Sequence, residues 1–341
     1  MTPEWLSQLL GTPVGGVSWE PIGTGQVGDS VRFHLHDTGE GASATLAGKF
    51  PAEDQTSRGT AAMMGLYAKE VSFYREAAAK LAVRTPAIHF AKADPGGTEF
   101  AIIFEDLGPA RGGNQIEGCS LNDACAAIKQ AAALHASSWH NAGILGSSWL
   151  TPPEGLRAQL GAMYPQAQKV FAERYAGQLE PKYMALCAEL AEVRELWTRT
   201  EDPPQCLVHG DFRLDNMLFD IKGGAEPIAI LDWQTVTAGK AMTDIGYFLG
   251  CGIGDEMRRV HEEALLHDYL TEMDRRGVTL TRDDIWHDYR IGALHGVSTA
   301  VFSAANVERT ERGDTNFLSM ARGACALAMK HDSIGALREV I

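Results

Sequence analysis

The sequence predicts an α+β protein with two lobes, a small β-rich N-terminal lobe and a larger, mostly helical C-terminal lobe. Three observations support this fold class. The chain has 341 residues, and at about 100–200 residues per domain that length favours two domains. The first hundred residues read as strands around one helix, whereas helical patterns dominate from Ser120 onwards. We therefore predict an N-terminal lobe over residues 1–107 and a C-terminal lobe over residues 108–341.

The composition excludes several classes of protein. Hydrophobic residues make up 45% of the chain and charged residues 22%, which is typical of globular proteins and excludes a largely disordered or fibrous chain. The net charge of -14 argues against non-specific binding to nucleic acid or to an anionic membrane, because both would be repelled. No run approaches 18 apolar residues, so we expect no membrane insertion.

The cysteines and the N-terminus indicate a cytoplasmic protein. The six cysteines are scattered and form no CxxC pair, so reduced thiols are favoured over a disulfide framework or a metal cluster. The N-terminal residues lack the basic and apolar segments of a secretory signal. Instead, Thr2 as N-cap and Pro3 at the first helical position predict a short helix.

The N-terminal lobe is predicted to contain five strands and one longer helix. In the second strand, Val31, Phe33 and Leu35 alternate with polar residues, which is the period of a half-buried strand. The loop PAEDQTSRGT precedes the helix, and the turn DPGG joins the last two strands into a hairpin. The predicted strands are 17–22, 31–35, 44–50, 87–93 and 99–104, and the predicted helix is 61–80.

The C-terminal lobe is predicted to be helical except for a short β-rich segment over residues 206–232. NDACAAIKQAAALHASSWH is a clear helix, and 154–199 reads as two helices with a break near Gly177 and Pro181. Residues 241–337 are predicted to be helical, with breaks near Gly277 and Gly313.

A glycine motif, Gly23-Thr24-Gly25-Gln26-Val27-Gly28, lies between the first two predicted strands. In a dinucleotide-binding motif of the same spacing, the glycines open into a helix. Here they open into a strand, and a strand–glycine loop–strand arrangement is how protein kinases cover the phosphates of ATP. A plain hairpin turn remains the alternative.

Lys49 is predicted to lie near the end of the third strand, where a kinase places the lysine that binds the α- and β-phosphates. The alternative is an ordinary solvated lysine at a strand edge. A phosphate-binding lysine needs an acidic partner on the following helix, and Glu70 and Glu76 are the candidates. We favour Glu70, because its neighbours in YAKEVSFY would pack while Glu70 points elsewhere.

Residues 206–234, CLVHGDFRLDNMLFDIKGGAEPIAILDWQ, carry the strongest signal. An apolar strand leads to Asp211, Asn216 follows five residues later, and a second strand ends at Asp232. Phosphoryl transfer needs a carboxylate that orients the acceptor hydroxyl, and oxygen ligands that hold Mg²⁺. An Asp and an Asn five residues apart match the spacing of a kinase catalytic loop. Turn-forming residues in two loops are the alternative.

HGDFRLDN, ILDWQ and DIGYFL together resemble the aminoglycoside phosphotransferase-like superfamily of small-molecule kinases, which includes ecdysteroid kinase-like and choline kinase-like proteins and the phosphotransferases associated with acyl-CoA dehydrogenases. The resemblance implies a bilobal protein-kinase-like fold that binds ATP between its lobes. It implies that Asp211 is the catalytic base, that Asn216 and Asp232 bind Mg²⁺, and that Lys49 with Glu70 binds phosphate.

The same resemblance implies roles for further positions. The glycines Gly23, Gly25 and Gly28 would cover the phosphates, and the segment ending in Glu105, Asp106 and Leu107 would meet adenine through its backbone. His209 and Asp244 would support the catalytic loop. Two roles stay open for Arg213, which either contacts substrate or phosphate, or pairs with Asp215 or another acid.

The expected activity is transfer of the γ-phosphate of ATP to a hydroxyl group of a small molecule, with Mg²⁺. Two alternatives remain: a non-catalytic nucleotide-binding protein of the same fold, and a hydroxyacyl-CoA or amino-alcohol kinase. The acceptor is open, because the acids between residues 255 and 288 could line a site for a cationic aminoglycoside or form a solvated face. The sequence indicates no particular oligomeric state.

Overall fold

The computed structural model describes residues 1–23, 28–39, 43–152, 155–193, 203–307 and 309–339. The chain forms two compact units. The first contains residues 1–80, 84–111 and 220–235, and the second contains residues 81–83, 112–219 and 236–341. The first unit thus extends beyond residue 107 to residue 111, and it takes in a segment from the middle of the chain.

The N-terminal part of the chain forms a sheet with helices, as predicted. Its helices and strands are α1 (Pro3–Leu10), β1 (Gly16–Ile22), β2 (Gly28–His36), β3 (Thr45–Pro51), α2 (Gln55–Met63), α3 (Leu66–Ser72), β4 (Ile88–Ala93), β5 (Phe100–Glu105) and the short β6 (Arg111–Gly112). Strands β1 to β5 form one antiparallel sheet in the order β1-β2-β3-β5-β4. This order places β3, which carries Lys49, at the centre of the sheet.

One face of this sheet packs against α1. The hydroxyl of Thr2 caps α1 by accepting from the N–H of Trp5, as predicted. Leu6 of α1 joins a buried cluster with Phe33, Leu35, Leu46 and Ile103. The alternating apolar residues of β2 therefore face the core, which confirms the period-2 interpretation.

The predicted single helix over 61–80 is wrong in its boundaries. Helix α2 already begins at Gln55, inside the segment predicted to be a loop, and Gly65 separates it from α3. Gly65 has φ +67°, a left-handed conformation that glycine adopts without steric cost. After α3, residues 73–77 form a wider π-helical turn, and Ala78–Lys80 form a 3₁₀ turn.

The remainder of the chain is mostly helical. Its helices and strands are α4 (Leu121–Ser138), α5 (Ala142–Leu145), α6 (Leu156–Arg174), α7 (Pro181–Glu192), β7 (Cys206–Val208), β8 (Met217–Asp220), β9 (Glu226–Ile230), β10 (Thr237–Gly239), α8 (Met242–Cys251), α9 (Asp255–Arg275), α10 (Arg282–Asn306), α11 (Glu311–Lys330) and α12 (Ser333–Arg338). A helical turn over Ile221–Gly224 separates β8 from β9, and β7 pairs with β10. The predicted β-rich segment is thus confirmed.

Nearly every residue of helix α8 is buried in the second unit. The helix packs against α10 so closely that a Cβ atom on Gly246 or on Gly292 would overlap the backbone of the other helix. This close approach fixes the position of α8, whose first turns carry Asp244 and Tyr247. The two glycines are therefore required by packing rather than by a turn.

The predicted helix breaks are confirmed. Gly177 and Pro181 separate α6 from α7, and Gly277 follows α9 with φ +90°. The break predicted near Gly313 is also present, because α10 ends at Asn306 and α11 begins at Glu311. The hydroxyl of Thr310 accepts from the N–H of Gly313, so this glycine lies in the first turn of α11. The end of the helix predicted to reach residue 199 lies outside the described residues.

No helix among the described residues is long and apolar enough to cross a membrane. The six cysteines are thiols rather than disulfides. Cys187 and Cys325 are buried, and their Sγ atoms lie 3.8 Å apart.

Candidate active site

The ends of the predicted glycine loop are described, and its middle is not. Gly23 has φ +79° after β1, and Gly28 begins β2. Gly25 lies outside the described residues. A Cβ atom on Gly28 would lie 3.0 Å from the carbonyl oxygen of Phe50 and 3.4 Å from Cε of Lys49. Glycine thus lets the start of β2 lie directly against the stem of this lysine.

Lys49 pairs with two carboxylates of the first unit. Its Nζ donates to Oε2 of Glu70 at 2.7 Å and to Oδ1 of Asp232 at 2.7 Å. Burial alone would lower the pKa of Lys49, but the two carboxylates raise it above its ordinary value. Glu70 on α3 is 1% exposed, whereas Glu76 is exposed. The predicted partner of Lys49 is therefore confirmed as Glu70, while the phosphate-binding role stays a prediction.

Asp232 occupies an unusual backbone conformation directly after β9. Its φ is +61°, and a non-glycine residue held there costs on the order of 1–3 kcal/mol. The side chain of Gln234 donates to its Oδ2 at 3.3 Å. Next to it, the N–H of Trp233 donates to Glu70, and the Trp233 ring stacks on Phe73 at 4.1 Å. This packing holds Asp232 in its left-handed conformation.

Glu105, in the predicted adenine-binding segment, belongs to a closed ring of ion pairs. Its carboxylate binds Arg84 at 2.6 Å and Lys222 at 2.8 Å. Glu226 completes the ring through the same two cations, at 2.6 and 3.2 Å. Because its carboxylate is held in this ring, the side chain of Glu105 has a structural role.

The next two residues of that segment are also held in place. Asp106 binds Arg32 at 2.6 Å, and the carbonyl of buried Leu107 accepts from the N–H of Lys222 at 2.8 Å. Any contact with adenine would thus fall to other backbone groups of the segment.

In the second unit, Asp211 and Asn216 form the predicted pair on one loop. Nδ2 of Asn216 donates to Oδ2 of Asp211 at 2.8 Å and to its backbone carbonyl at 2.9 Å. Arg213 donates to the same Oδ2 at 3.1 Å, and the hydroxyl of Tyr247 donates to Oδ1 at 2.8 Å. Burial would raise the pKa of Asp211, but Arg213, Tyr247 and Asn216 hold it at about 2. The carboxylate is therefore ionised at neutral pH.

Asp244 holds the start of this loop from inside the core. It is fully buried, and it accepts from the backbone N–H groups of His209 at 2.7 Å and Gly210 at 2.9 Å. His135 of α4 bonds to the same carboxylate and to the hydroxyl of Tyr269. Burial opposes ionisation, but these partners keep the pKa of Asp244 below its ordinary value. This geometry fits the supporting role expected for Asp244.

Asp215 is the centre of a second ionic cluster on the loop. Arg213 binds it at 3.0 Å and Arg312 at 3.1 Å, and the N–H of Gln115 donates to it at 3.0 Å. Arg213 thus pairs with both Asp211 and Asp215, as one of its two predicted roles requires.

Tyr247, His295 and Gln115 contact the loop and were missed by sequence reasoning. Nε2 of His295 lies 2.7 Å from the carbonyl oxygen of Gly210, and the side chain of Gln115 accepts from the N–H of Leu214. Tyr247 had a usable signal, because it lies three residues after Asp244 and so shares its helix face. His295 and Gln115 are far away in sequence, and no local pattern marks them.

Several acids between residues 255 and 288 have partners of their own. Glu262 is 2% exposed and binds His331, Lys330 and Tyr289. Further contacts of this kind include Asp255 with Arg258, Glu263 with Arg282, Glu272 with Arg275 and Arg276, Asp284 with Thr281, and Asp288 with Gln205. These contacts favour structural roles over an acidic substrate site.

The part of the chain that the structure describes contains no group of three His, Cys, Asp or Glu residues arranged to hold a metal ion. The two predicted Mg²⁺ ligands, Asn216 and Asp232, belong to different units. Each offers oxygen atoms, which are the ligands that Mg²⁺ prefers.

A β-sheet region in which Lys49 pairs with a buried glutamate, followed by a helical region with an Asp and an Asn on one loop, is typical of a kinase-like phosphotransferase. Residues 32–277 match the model of the phosphotransferase enzyme family designated APH, and the chain belongs to that family. The predicted recognition is confirmed at this level.

Curated relatives match only over a short segment. Acyl-CoA dehydrogenase family member 11 of Mus musculus is 48% identical over 46 residues, which are 14% of this chain and 6% of that protein. Acyl-CoA dehydrogenase family member 10 of Mus musculus is 51% identical over 41 residues, which are 12% of this chain and 4% of that protein. The matched segment is thus a small fraction of each relative's length.

Solved structures match over nearly the whole chain. A Ralstonia eutropha JMP134 protein assigned as an aminoglycoside phosphotransferase superposes with a TM-score of 0.58 and 18% identity, covering 96% of this chain and 97% of that one. The GDP complex of aminoglycoside 2'-phosphotransferase-IIIa gives 0.57 and 15%, covering 91% and 92%. The ternary complex of a thermostable mutant of aminoglycoside phosphotransferase APH(4)-Ia with ADP and hygromycin B gives 0.50 and 16%, covering 96% and 98%. These similarities show the kinase-like fold, as predicted.

Proposed function

We propose that this protein is a kinase that transfers the γ-phosphate of ATP to a hydroxyl group of a small molecule, with Mg²⁺ as cofactor. The observation that carries the proposal is the loop of the second unit, where an ionised Asp211 is bound to Asn216 and the loop is held by buried Asp244. A carboxylate fixed in this way can orient a hydroxyl group and accept its proton.

Other residues of the proposal bind the nucleotide. Lys49, held by Glu70, would contact the phosphates, and the loop with Gly23, Gly25 and Gly28 would cover them. Backbone groups of residues 105–107 would meet the purine. The pairing of Lys49 with Glu70 at 2.7 Å supports this assignment, because a kinase requires the same ion pair.

The residues proposed to bind Mg²⁺, Asn216 and Asp232, suit that ion chemically. Asn216 uses its Nδ2 toward Asp211, and among the described residues its Oδ1 has no hydrogen-bond partner. Asp232 supplies carboxylate oxygens held by Lys49 and Gln234. Mg²⁺ commonly binds one or two protein oxygens together with substrate phosphates. When bound, it would neutralise charge on the β- and γ-phosphates.

The similar structures differ in the purine of the bound nucleotide, because one holds GDP and another holds ADP. We propose ATP and expect a comparison of the two triphosphates to decide. The scattered cysteines, none of them in a CxxC pair, favour a reducing cytoplasmic setting.

A screen of phosphate transfer tests the proposal. Purified protein with ATP or GTP and Mg²⁺ would be offered aminoglycosides, steroids, phenols, amino alcohols and hydroxyacyl-CoAs, and diphosphate formation would be measured. Asp211→Asn keeps the shape of the side chain but removes its basicity, so turnover should fall by about 10²–10⁴-fold while calorimetry shows unchanged nucleotide binding.

Near wild-type turnover by Asp211→Asn would refute the assignment of the base. Binding of ATP and Mg²⁺ without turnover on any acceptor would favour the alternative of a non-catalytic nucleotide-binding protein.

A further inference from the structure

We propose that Tyr247 is a positioning residue for Asp211, and that it leaves Oδ1 of this carboxylate as the atom that receives the proton of the acceptor hydroxyl. This inference rests on the proposed kinase function. It concerns a residue that the kinase-like spacing of Asp211 and Asn216 does not mark, and it assigns different tasks to the two oxygens of Asp211.

The hydrogen bonds around Asp211 are divided unequally. Oδ2 accepts from Asn216 at 2.8 Å and from Arg213 at 3.1 Å. Oδ1 accepts from the hydroxyl of Tyr247 at 2.8 Å. Nε of Arg213 also lies 3.1 Å from Oδ1, but its N–H points toward Oδ2 and forms the hydrogen bond there. An ionised carboxylate has about four lone-pair sites, two on each oxygen. Oδ2 is thus saturated, whereas Oδ1 can accept one more hydrogen bond.

Asp211 can be reached by a substrate, because 21% of its side-chain surface is exposed. Tyr247, in contrast, is 0% exposed and has little freedom to move. Its ring lies edge-on to His295 at 5.2 Å, and His295 contacts the carbonyl of Gly210 at 2.7 Å. The hydroxyl that fixes Oδ1 is therefore itself fixed from two helices, α8 and α10.

Helix α8 holds the loop through two side chains on one face. Asp244 accepts from the backbone of His209 and Gly210, and Tyr247, one turn further on, donates to Asp211. Burial and the neighbouring Asp211 carboxylate raise the pKa of Tyr247 above its ordinary value. Tyr247 thus remains a hydrogen-bond donor and does not compete with Asp211 for the proton.

The reaction step that follows is balanced. The acceptor hydroxyl donates to the open site of Oδ1, its O–H bond breaks, and the proton moves to Oδ1. The acceptor oxygen forms a bond to the γ-phosphorus, the bond from that phosphorus to the bridging oxygen breaks, and the electron pair leaves with ADP. Tyr247 sets the direction of the open site, so its loss should affect turnover more than nucleotide binding.

Tyr247→Phe removes only the hydroxyl and is the test variant. Its kcat for diphosphate formation should fall by about 10- to 100-fold, the effect of losing a hydrogen bond to a charged group, with KM for ATP unchanged. Tyr289→Phe is the matched control. This tyrosine is also 0% exposed, but its hydroxyl donates to Glu262, so kcat should stay at the wild-type level.

Combination with Asp211→Asn separates positioning from a structural role. If Tyr247 acts through Asp211, the double variant should be no slower than Asp211→Asn alone. An undiminished kcat of Tyr247→Phe, or the same fold-loss in both backgrounds, would overturn the inference.

Urea unfolding of wild type, Tyr247→Phe, Asp211→Ala and the double variant of the last two measures the contact without any assay of activity, because alanine, unlike asparagine, has no oxygen that can accept from Tyr247. The two substitutions should be coupled by at least about threefold in the unfolding equilibrium, and additive effects would contradict the contact. If the wild-type protein turns over no nucleotide, both the proposed function and the positioning role are refuted. If unfolding is coupled but Tyr247→Phe keeps the wild-type kcat, only the positioning role is refuted.

Discussion

In the first unit one cation, Lys49, lies between the carboxylates of Glu70 and Asp232, whereas in the second unit one carboxylate, Asp211, lies among three donors. Among the residues that the structure describes, Lys49 is the one cation paired with these two acids. The aspartate shares its compensation among Arg213, Asn216 and Tyr247, of which only the arginine is charged.

This difference predicts how each region responds to a single substitution. Loss of the lysine would leave two acids near each other, one of them in the core. The N–H of Trp233 and the side chain of Gln234 would still donate to these acids, but neither group carries a charge. Loss of one donor to Asp211 would leave two others in place. A single substitution at Lys49 should therefore cause a large loss of stability. A single substitution among the donors to Asp211 should cause a smaller one.

Lys49→Met should have the largest effect on stability. Removing one partner of a buried ion pair costs about 3–5 kcal/mol, because the remaining charge is buried without compensation. We expect the free energy of unfolding in urea to fall by that amount. Glu76→Gln is the control, because an exposed site should change stability by no more than about 0.5 kcal/mol. A loss below about 1 kcal/mol for Lys49→Met would show that solvent reaches Glu70 and compensates it.

The two regions should also respond to pH in opposite directions. Asp211 has a folded-state pKa of about 2, below its ordinary 3.8, so its stabilising contribution is present above pH 3.8 and is lost as the pH falls toward 2. Burial, opposed by Lys49 and aided by Asp232, raises the pKa of Glu70 above 4.5. The contribution of Glu70 is therefore greatest below pH 4.5 and decreases as the pH rises through its folded-state pKa.

Difference measurements isolate these contributions. The stability of wild type minus Asp211→Asn should fall by about 2 kcal/mol on acidification, since one pKa unit corresponds to about 1.4 kcal/mol. Wild type minus Glu70→Gln should rise on acidification. Curves with the same sign would contradict the contrast between the two regions.

The sequence was most informative where local rules determine structure. The capped helix at Thr2, the alternating strand with Phe33 and the breaks at Gly177 and Gly277 were predicted because periodicity and backbone preference act over a few residues. The predicted Lys49–Glu70 contact is also present. It joins residues only 21 positions apart, on a strand and a nearby helix.

Sequence reasoning was less informative where contacts are distant or competing signals are present. His295 lies 85 positions from Gly210, and no local pattern indicates that contact. The helix break predicted near Gly313 lies just before this glycine, because Thr310 caps α11 and places Gly313 in its first turn. The ring that joins Glu105 to Arg84 and Lys222 likewise depends on the folded arrangement, because charge alone does not choose among many possible partners.

Arg312→Gln should have the smallest effect and tests the graded response of the loop. Arg312 is 51% exposed and binds Asp215, and Asp215 also accepts from Arg213 and from the N–H of Gln115. Exposed ion pairs contribute about 0–1 kcal/mol, because water and salt screen them. The free energy of unfolding should therefore fall by less than about 1 kcal/mol, with high salt reducing the difference further. A loss comparable to that of Lys49→Met would mean that the loop around Asp211 also depends on a single cation, and the two regions would then follow the same rule.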